Sequence, residues 1–174
     1  MLFLPQIVKQ FGLTDVQTGF VSSLPFIGAL ISMLLWARAS DRTGARSKVC
    51  GASLLISAAL LICCLALQSS PVATMVVLIL YSVAASGIAP TFWPLPTAML
   101  TGSAAAGGIA LINAVGNLGG FLGPYALGLV QDATGNFAIG LLTIAMGSVI
   151  AGFVVLALGH DRRLEQAAAP LAAK

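Results

Sequence analysis

Charge is what this chain has least of. Asp, Glu, Lys and Arg make up 7% of its 174 residues, against roughly 25% in an ordinary soluble domain. A surface that meets water must be clothed in groups that water can solvate. So few charges exclude a water-soluble fold of this size and point to lipid as the solvent. Titratable catalytic groups are equally scarce. The one histidine, His160, and the one glutamate, Glu165, both lie in the C-terminal tail, so no Ser/His/Asp set can assemble. Cysteine appears only as Cys50, Cys63 and Cys64, with no CxxC or Cys/His spacing. That excludes a zinc site and a disulfide framework, and leaves the three as small residues of an apolar interior. No G-x-x-x-x-G-K loop is present to cradle a phosphate. Neither enzymatic activity nor a cofactor nor a metal is expected.

Basic residues outnumber acidic ones, 8 to 5. They fall in two short clusters without interleaved aromatics, which reads as membrane topology and not as a nucleic-acid surface. The first 13 residues lack a basic start, and their apolar stretch is broken by Pro5, Gln6, Lys9 and Gln10. They do not read as a signal peptide.

What the chain does have is long apolar runs: 59% hydrophobic residues and a mean hydropathy of +1.03. A helix needs about 20 apolar residues to cross the hydrocarbon core. Val16 to Ala37 is one uncharged run, Ala133 to Gly159 is another, and no charge occurs from Val49 to Gln131. Turn residues divide that long stretch at Gln68-Ser69-Ser70-Pro71 and again at Pro90, Pro94, Pro96 and Gly102-Ser103. The runs are continuous instead of alternating, so helices fit and barrel strands do not. The expected fold class is an all-α integral membrane protein of about five transmembrane helices, at about 16–37, 48–68, 71–93, 105–130 and 137–159. Residues 1–15 are expected to be the end of a truncated helix plus an extracytoplasmic segment, and residues 160–174 a cytoplasmic tail.

Orientation follows from the loops. One side holds Arg38, Arg42, Arg46, Lys48, Arg162, Arg163 and Lys174, and the other holds only Lys9. Positively charged loops stay in the cytoplasm, which puts the C-terminus there and the N-terminus outside. An odd number of spans with an outside start suggests a fragment; a free-standing five-helix protein is the other possibility.

The fourth span carries polar residues on one side. At 100° per residue, Asn113, Gly116, Asn117, Gly120 and Pro124 share a face, opposite Leu111, Val115, Leu118, Leu122 and Leu129. An amide facing lipid without a partner costs several kcal/mol, so that face must meet protein or a watery cavity. Two readings stay open. Gly116/Gly120 and Gly119/Gly123 are GxxxG pairs suited to close helix packing, with Asn bridging helices. Alternatively, the glycines make room and the amides bind a polar solute. In the first span Thr18, Ser22, Pro25, Ala29 and Ser32 share a face opposite Phe20, Leu24, Ile27 and Ile31, which reads as small residues for packing. Gly140, Gly147, Ser148 and Gly152 read the same way in the fifth span. Trp93 is either an interfacial anchor or a ring lining the inner part of a pathway.

The loop from Ala37 to Arg46 has Gly44 for a sharp reversal, and Asp41 to cap a helix or pair with an arginine. Read by itself it is a solvated topogenic loop. Its Asp41-Arg42-x-Gly44-x-Arg46 also resembles the signature loop of the major facilitator superfamily, with Ala37 in place of the leading glycine and Ala45 in place of one basic residue. Further segments resemble one branch, the anion:cation symporter family of tartrate, phthalate and hydroxyphenylacetate permeases. They are Phe3-Leu4-Pro5-Gln6-Ile7-Val8, Phe92-Trp93-Pro94-Leu95-Pro96, the run from Ala104 through Asn113 and Asn117 to Tyr125, and Asp132-Ala133-Thr134-Gly135.

That resemblance implies twelve helices in two halves, with this chain as the end of the seventh helix and helices eight to twelve. It implies a missing N-terminal half as partner, a small carboxylate as substrate, and a bacterial inner membrane as location. Asp41, Arg42, Gly44 and Arg46 would latch the two halves, and Trp93, Asn113 and Asn117 would line the substrate cavity. Proton coupling requires a group that changes protonation within the pathway. None of the expected spans has an internal Asp, Glu, Lys, Arg or His, so the coupling carboxylate is expected in the missing half. The rival expectation is a non-transporting membrane scaffold or an inactive truncated product.

Overall fold

A computed structural model describes residues 12–67, 70–100, 102–134 and 137–158. Among these residues the chain is all helix and turn, and five of its helices or helix runs are long and apolar enough to cross a membrane. The segment Phe3 to Val8, Gly135 and the tail from Gly159 onward lie outside the described residues.

Helix α1 runs Asp15–Thr43. Thr14 caps it: the Gln17 N–H donates to Thr14 Oγ1 at 3.4 Å, and the Thr14 N–H donates to Gln17 Oε1 at 3.1 Å. Asp15 in the first turn and Arg42 in the last complement the helix dipole. The helix carries six residues more at its C-terminal end than the apolar run. Arg38 to Thr43 contains no breaker, and Ala and Arg favour helix. Gly44 is the first residue able to turn the chain; its φ of +63° is left-handed, and its N–H reaches the Ser40 carbonyl at 2.9 Å. Only Gly44 and Ala45 separate α1 from α2 (Arg46–Ala66).

The third span is helical in three pieces: α3 (Pro71–Ala85), α4 (Ile88–Phe92) and α5 (Pro94–Met99). Proline has no N–H, so Pro90, Pro94 and Pro96 deprive the carbonyls of Ser86, Pro90 and Phe92 of their helical donors. Breaks fall at Ser86-Gly87 and at Trp93. Side chains from neighbouring helices and from Ser86 itself take up carbonyls left at the first break. Val83 O accepts from Ser32 Oγ at 3.0 Å, Trp36 Nε1 at 3.0 Å and Ser86 Oγ at 2.8 Å. Ala84 O accepts from Ser53 Oγ at 2.6 Å. Gly87 lies under the Trp36 ring: a Cβ there would come within 2.6 Å of Trp36 Cγ and 2.9 Å of Ser53 Oγ.

Helices α1, α2, α3 and α7 (Phe137–Ala157) form the packed body. Thr18, Ser22, Pro25 and Ser32 are buried while Phe20, Leu24, Ile27 and Ile31 are exposed, so small residues do turn inward on α1. Helices α2 and α7 pack closely where Gly51 meets Leu156 and Gly152 meets Leu55. Cys50, Leu54 and Val155 are buried between them, and Cys64, Val77 and Leu78 form a second apolar cluster. Gly147, by contrast, has open space around it.

Helix α6 (Gly102–Thr134) is 33 residues long and stands apart. It touches α5 and α7, and no described residue along it is buried.

Candidate functional site

The amide face of α6 is uncovered. Asn113 and Asn117 are both exposed, and so are Leu111, Val115, Leu118 and Leu122 on the other side. Asn117 Nδ2 donates to Asn113 Oδ1 at 3.4 Å. So long a bond leaves most of the donors and acceptors of both amides unused. A Cβ added at Gly116, Gly119, Gly120 or Gly123 would meet no atom within 4 Å. The same i, i+4 line continues to Phe121 and Tyr125, whose rings stack at 6.3 Å with planes 5° apart. The described helices therefore supply neither the packing partner nor the cavity wall that this face requires.

Trp93 sits elsewhere, at the joint between α4 and α5, packed edge-on against Phe92 with ring centroids 5.7 Å apart. It lines an open depression of about 500 Å³ together with Met33, Arg46, Pro90, Pro94 and Thr97. Asn113 and Asn117 do not line it. Of the four signature-loop residues, Arg46 alone does. Arg46 opens α2 and points a guanidinium nitrogen at Asp41 Oδ1, 3.8 Å away. Arg42 is exposed in the last turn of α1, and Gly44 makes the reversal.

The structure thus joins the signature loop to Trp93 through Arg46, a link that residue spacing could not show because 46 residues separate the two in sequence. It also brings in Trp36, whose ring covers Gly87 and whose N–H holds Val83 O. The only hint of that role in the sequence is a tryptophan at the end of the first apolar run. No group of three or more metal-ligating side chains occurs among the described residues.

A family model described as "Major Facilitator Superfamily" matches residues 1–173. The chain belongs to the Major Facilitator Superfamily. The match puts it among transporters and not among enzymes, and with its five apolar helices makes it a multi-pass membrane protein. It is 45% identical over 135 residues to a protein of Agrobacterium vitis named "Putative tartrate transporter", covering 75% of this chain and 29% of that protein. It is 42% identical over 135 residues to the "Quinolone resistance transporter" of Acinetobacter baumannii, covering 75% of this chain and 30% of that one. A third relative, the "Inner membrane transport protein RhmT" of Escherichia coli strain K12, is 36% identical over 128 residues, 71% of this chain and 29% of the relative. The chain therefore spans about 30% of the length of these superfamily members. No solved structure matches it. The tartrate name agrees with the anion:cation branch that the sequence segments resemble.

Proposed function

We propose that this chain forms the C-terminal part of a secondary transporter for a small organic anion, a carboxylate, carried in symport with a proton. The observation that carries the reading is the uncovered amide face of α6: Asn113 and Asn117 keep free hydrogen-bonding capacity on a helix otherwise suited to lipid. Neutral amides suit a polar solute, and the glycines beside them leave room for it. The relative named as a putative tartrate transporter supports the substrate class, and the one named as an inner membrane transport protein supports a bacterial inner membrane. The basic residues Arg38, Arg42, Arg46 and Lys48 support a cytoplasmic C-terminus. Asp41, Arg42, Gly44 and Arg46 serve as a latch on the cytoplasmic side, Trp93 lines the inner part of the pathway, and the coupling carboxylate comes from the remaining N-terminal half.

The bareness of α6 favours a second reading for the 174 residues alone: a membrane-embedded body that does not transport. One experiment separates the two. The chain is fused behind the N-terminal part of the Agrobacterium vitis relative, reconstituted into vesicles, and assayed for tartrate uptake with and without an inward proton gradient. Gradient-dependent uptake that falls at least tenfold in Asn113→Leu is expected. Absence of uptake for every mono- and dicarboxylate tried sinks the transport reading.

A further inference from the structure

The depression beside Trp93 has the make-up of a ligand site. Its volume of about 500 Å³ lies within the range of about 300–1,000 Å³ common for small-molecule pockets. Its walls are mostly apolar (Met33, Pro90, Pro94 and the Trp93 ring), and one cation, Arg46, enters from the side. Thr97 adds little polarity, because its hydroxyl already donates to the carbonyls of Trp93 and Pro94, each 3.1 Å away.

Arg46 is under-used where it stands. Its side chain is 25% exposed, and its one carboxylate neighbour among the described residues, Asp41, is 72% exposed and 3.8 Å away. A guanidinium offers five N–H donors in a planar fork matched to a carboxylate, and a single long contact to a solvated partner leaves most of them free. The surroundings raise the local potential further. Residues 38–48 hold four cations, Arg38, Arg42, Arg46 and Lys48, against the one carboxylate of Asp41, and Arg38, Arg42 and Lys48 are exposed. A stretch of net positive charge around Arg46 attracts small anions.

We infer that this depression is a carboxylate-binding vestibule in which Arg46 takes the carboxylate and Trp93 walls the carbon skeleton. The inference rests on the transport reading for its substrate class, and it assigns to Arg46 a binding role distinct from latching the loop. It also supplies a cation for the anion within this chain, at the start of α2.

The test is equilibrium binding of radiolabelled L-tartrate to the purified 174-residue chain in nanodiscs of phosphatidylcholine, which bring no net negative headgroup. Threitol, the uncharged polyol of matching shape, is the control. Tartrate is expected to bind and threitol not. Arg46→Gln should weaken tartrate binding at least fivefold, and Arg46→Lys should restore part of it. Asp41→Asn should tighten binding two- to threefold by freeing the guanidinium, the opposite of what a damaged fold would do. Helix content by circular dichroism is compared for all variants. Undetectable tartrate binding by the unaltered chain, equal binding of threitol, or an Asp41→Asn variant weaker than the parent overturns the inference. Tartrate uptake by the fused transporter without any Arg46-dependent binding would overturn this site alone and leave the transport reading standing.

Discussion

Helices α1 and α6 carry the same kind of residue in opposite circumstances. On α1 the small and polar face of Thr18, Ser22, Pro25 and Ser32 is buried against neighbouring helices. On α6 the corresponding face of Asn113, Gly116, Asn117 and Gly120 meets no other helix among the described residues. Between helices in lipid there is little hydrophobic drive to associate, so close backbone approach and hydrogen bonds do the work. A small-residue face therefore marks where a partner must come, and not which partner. On α1 the partner is α3, reached through Ser32 and Gly28. On α6 the glycines are equally permissive, and the described residues bring no helix to them.

The largest effect separating the two regions should come from filling a glycine. Gly87→Val forces two methyl groups into the space of the Trp36 ring and the Ser53 hydroxyl. Overpacking of this kind costs about 1–3 kcal/mol, and here it also prises Trp36 from Val83 O. Thermal unfolding in detergent should show a clear drop in midpoint. A midpoint unchanged within error would mean that the α3–α4 break is not packed as described. Trp36→Phe is a milder cut at the same joint. It keeps most of the ring but removes the N–H that reaches Val83 O at 3.0 Å. Since that carbonyl keeps Ser32 and Ser86 as donors, a loss of about 1 kcal/mol is expected.

The sign should reverse on α6. Gly120→Ala meets no atom within 4 Å, and alanine in a helix interior is better than glycine by about 1 kcal/mol. The isolated chain should be unchanged or slightly more stable. In the fused transporter the same change should lower tartrate uptake, since there the face is expected to meet another helix or the solute. Equal uptake would mean that this glycine faces lipid.

These contrasts also set how much could be read before the structure. The number and class of the membrane helices followed from the uncharged runs, because burial in lipid leaves an unmistakable trace in composition. The inward face of α1 followed from its period. The end of that helix did not: Arg38 to Thr43 is polar, so hydropathy stopped at Ala37 while helix propensity carried the backbone on to Gly44. Likewise Pro90, Pro94 and Pro96 announced a break near the end of the third span, but its position at Ser86-Gly87 depends on Trp36, Ser32 and Ser53 arriving from other helices. At the candidate site, Asn113 and Asn117 were visible as one face. The meeting of Arg46 and Trp93 is purely tertiary, since it needs the loop after α1 folded beside the α4–α5 joint.

The smallest effect tests the packed region from within. Thr18 Oγ1 and Ser22 Oγ are buried and make no hydrogen bond among the described residues. A buried hydroxyl without a partner costs about 1–3 kcal/mol in desolvation, and Thr→Val replaces it with a methyl of nearly the same shape. Where a hydroxyl is hydrogen-bonded that change loses a bond; where it is not, it removes only the unfavourable group. Thr18→Val should therefore leave the unfolding midpoint unchanged or raise it slightly, while Ser53→Ala, which takes a 2.6 Å donor from Ala84 O, should lower it. If Thr18→Val is instead the more damaging of the two, the Thr18 hydroxyl has a partner in the membrane-embedded protein, and the inward face of α1 holds its neighbours by hydrogen bonds as well as by fit.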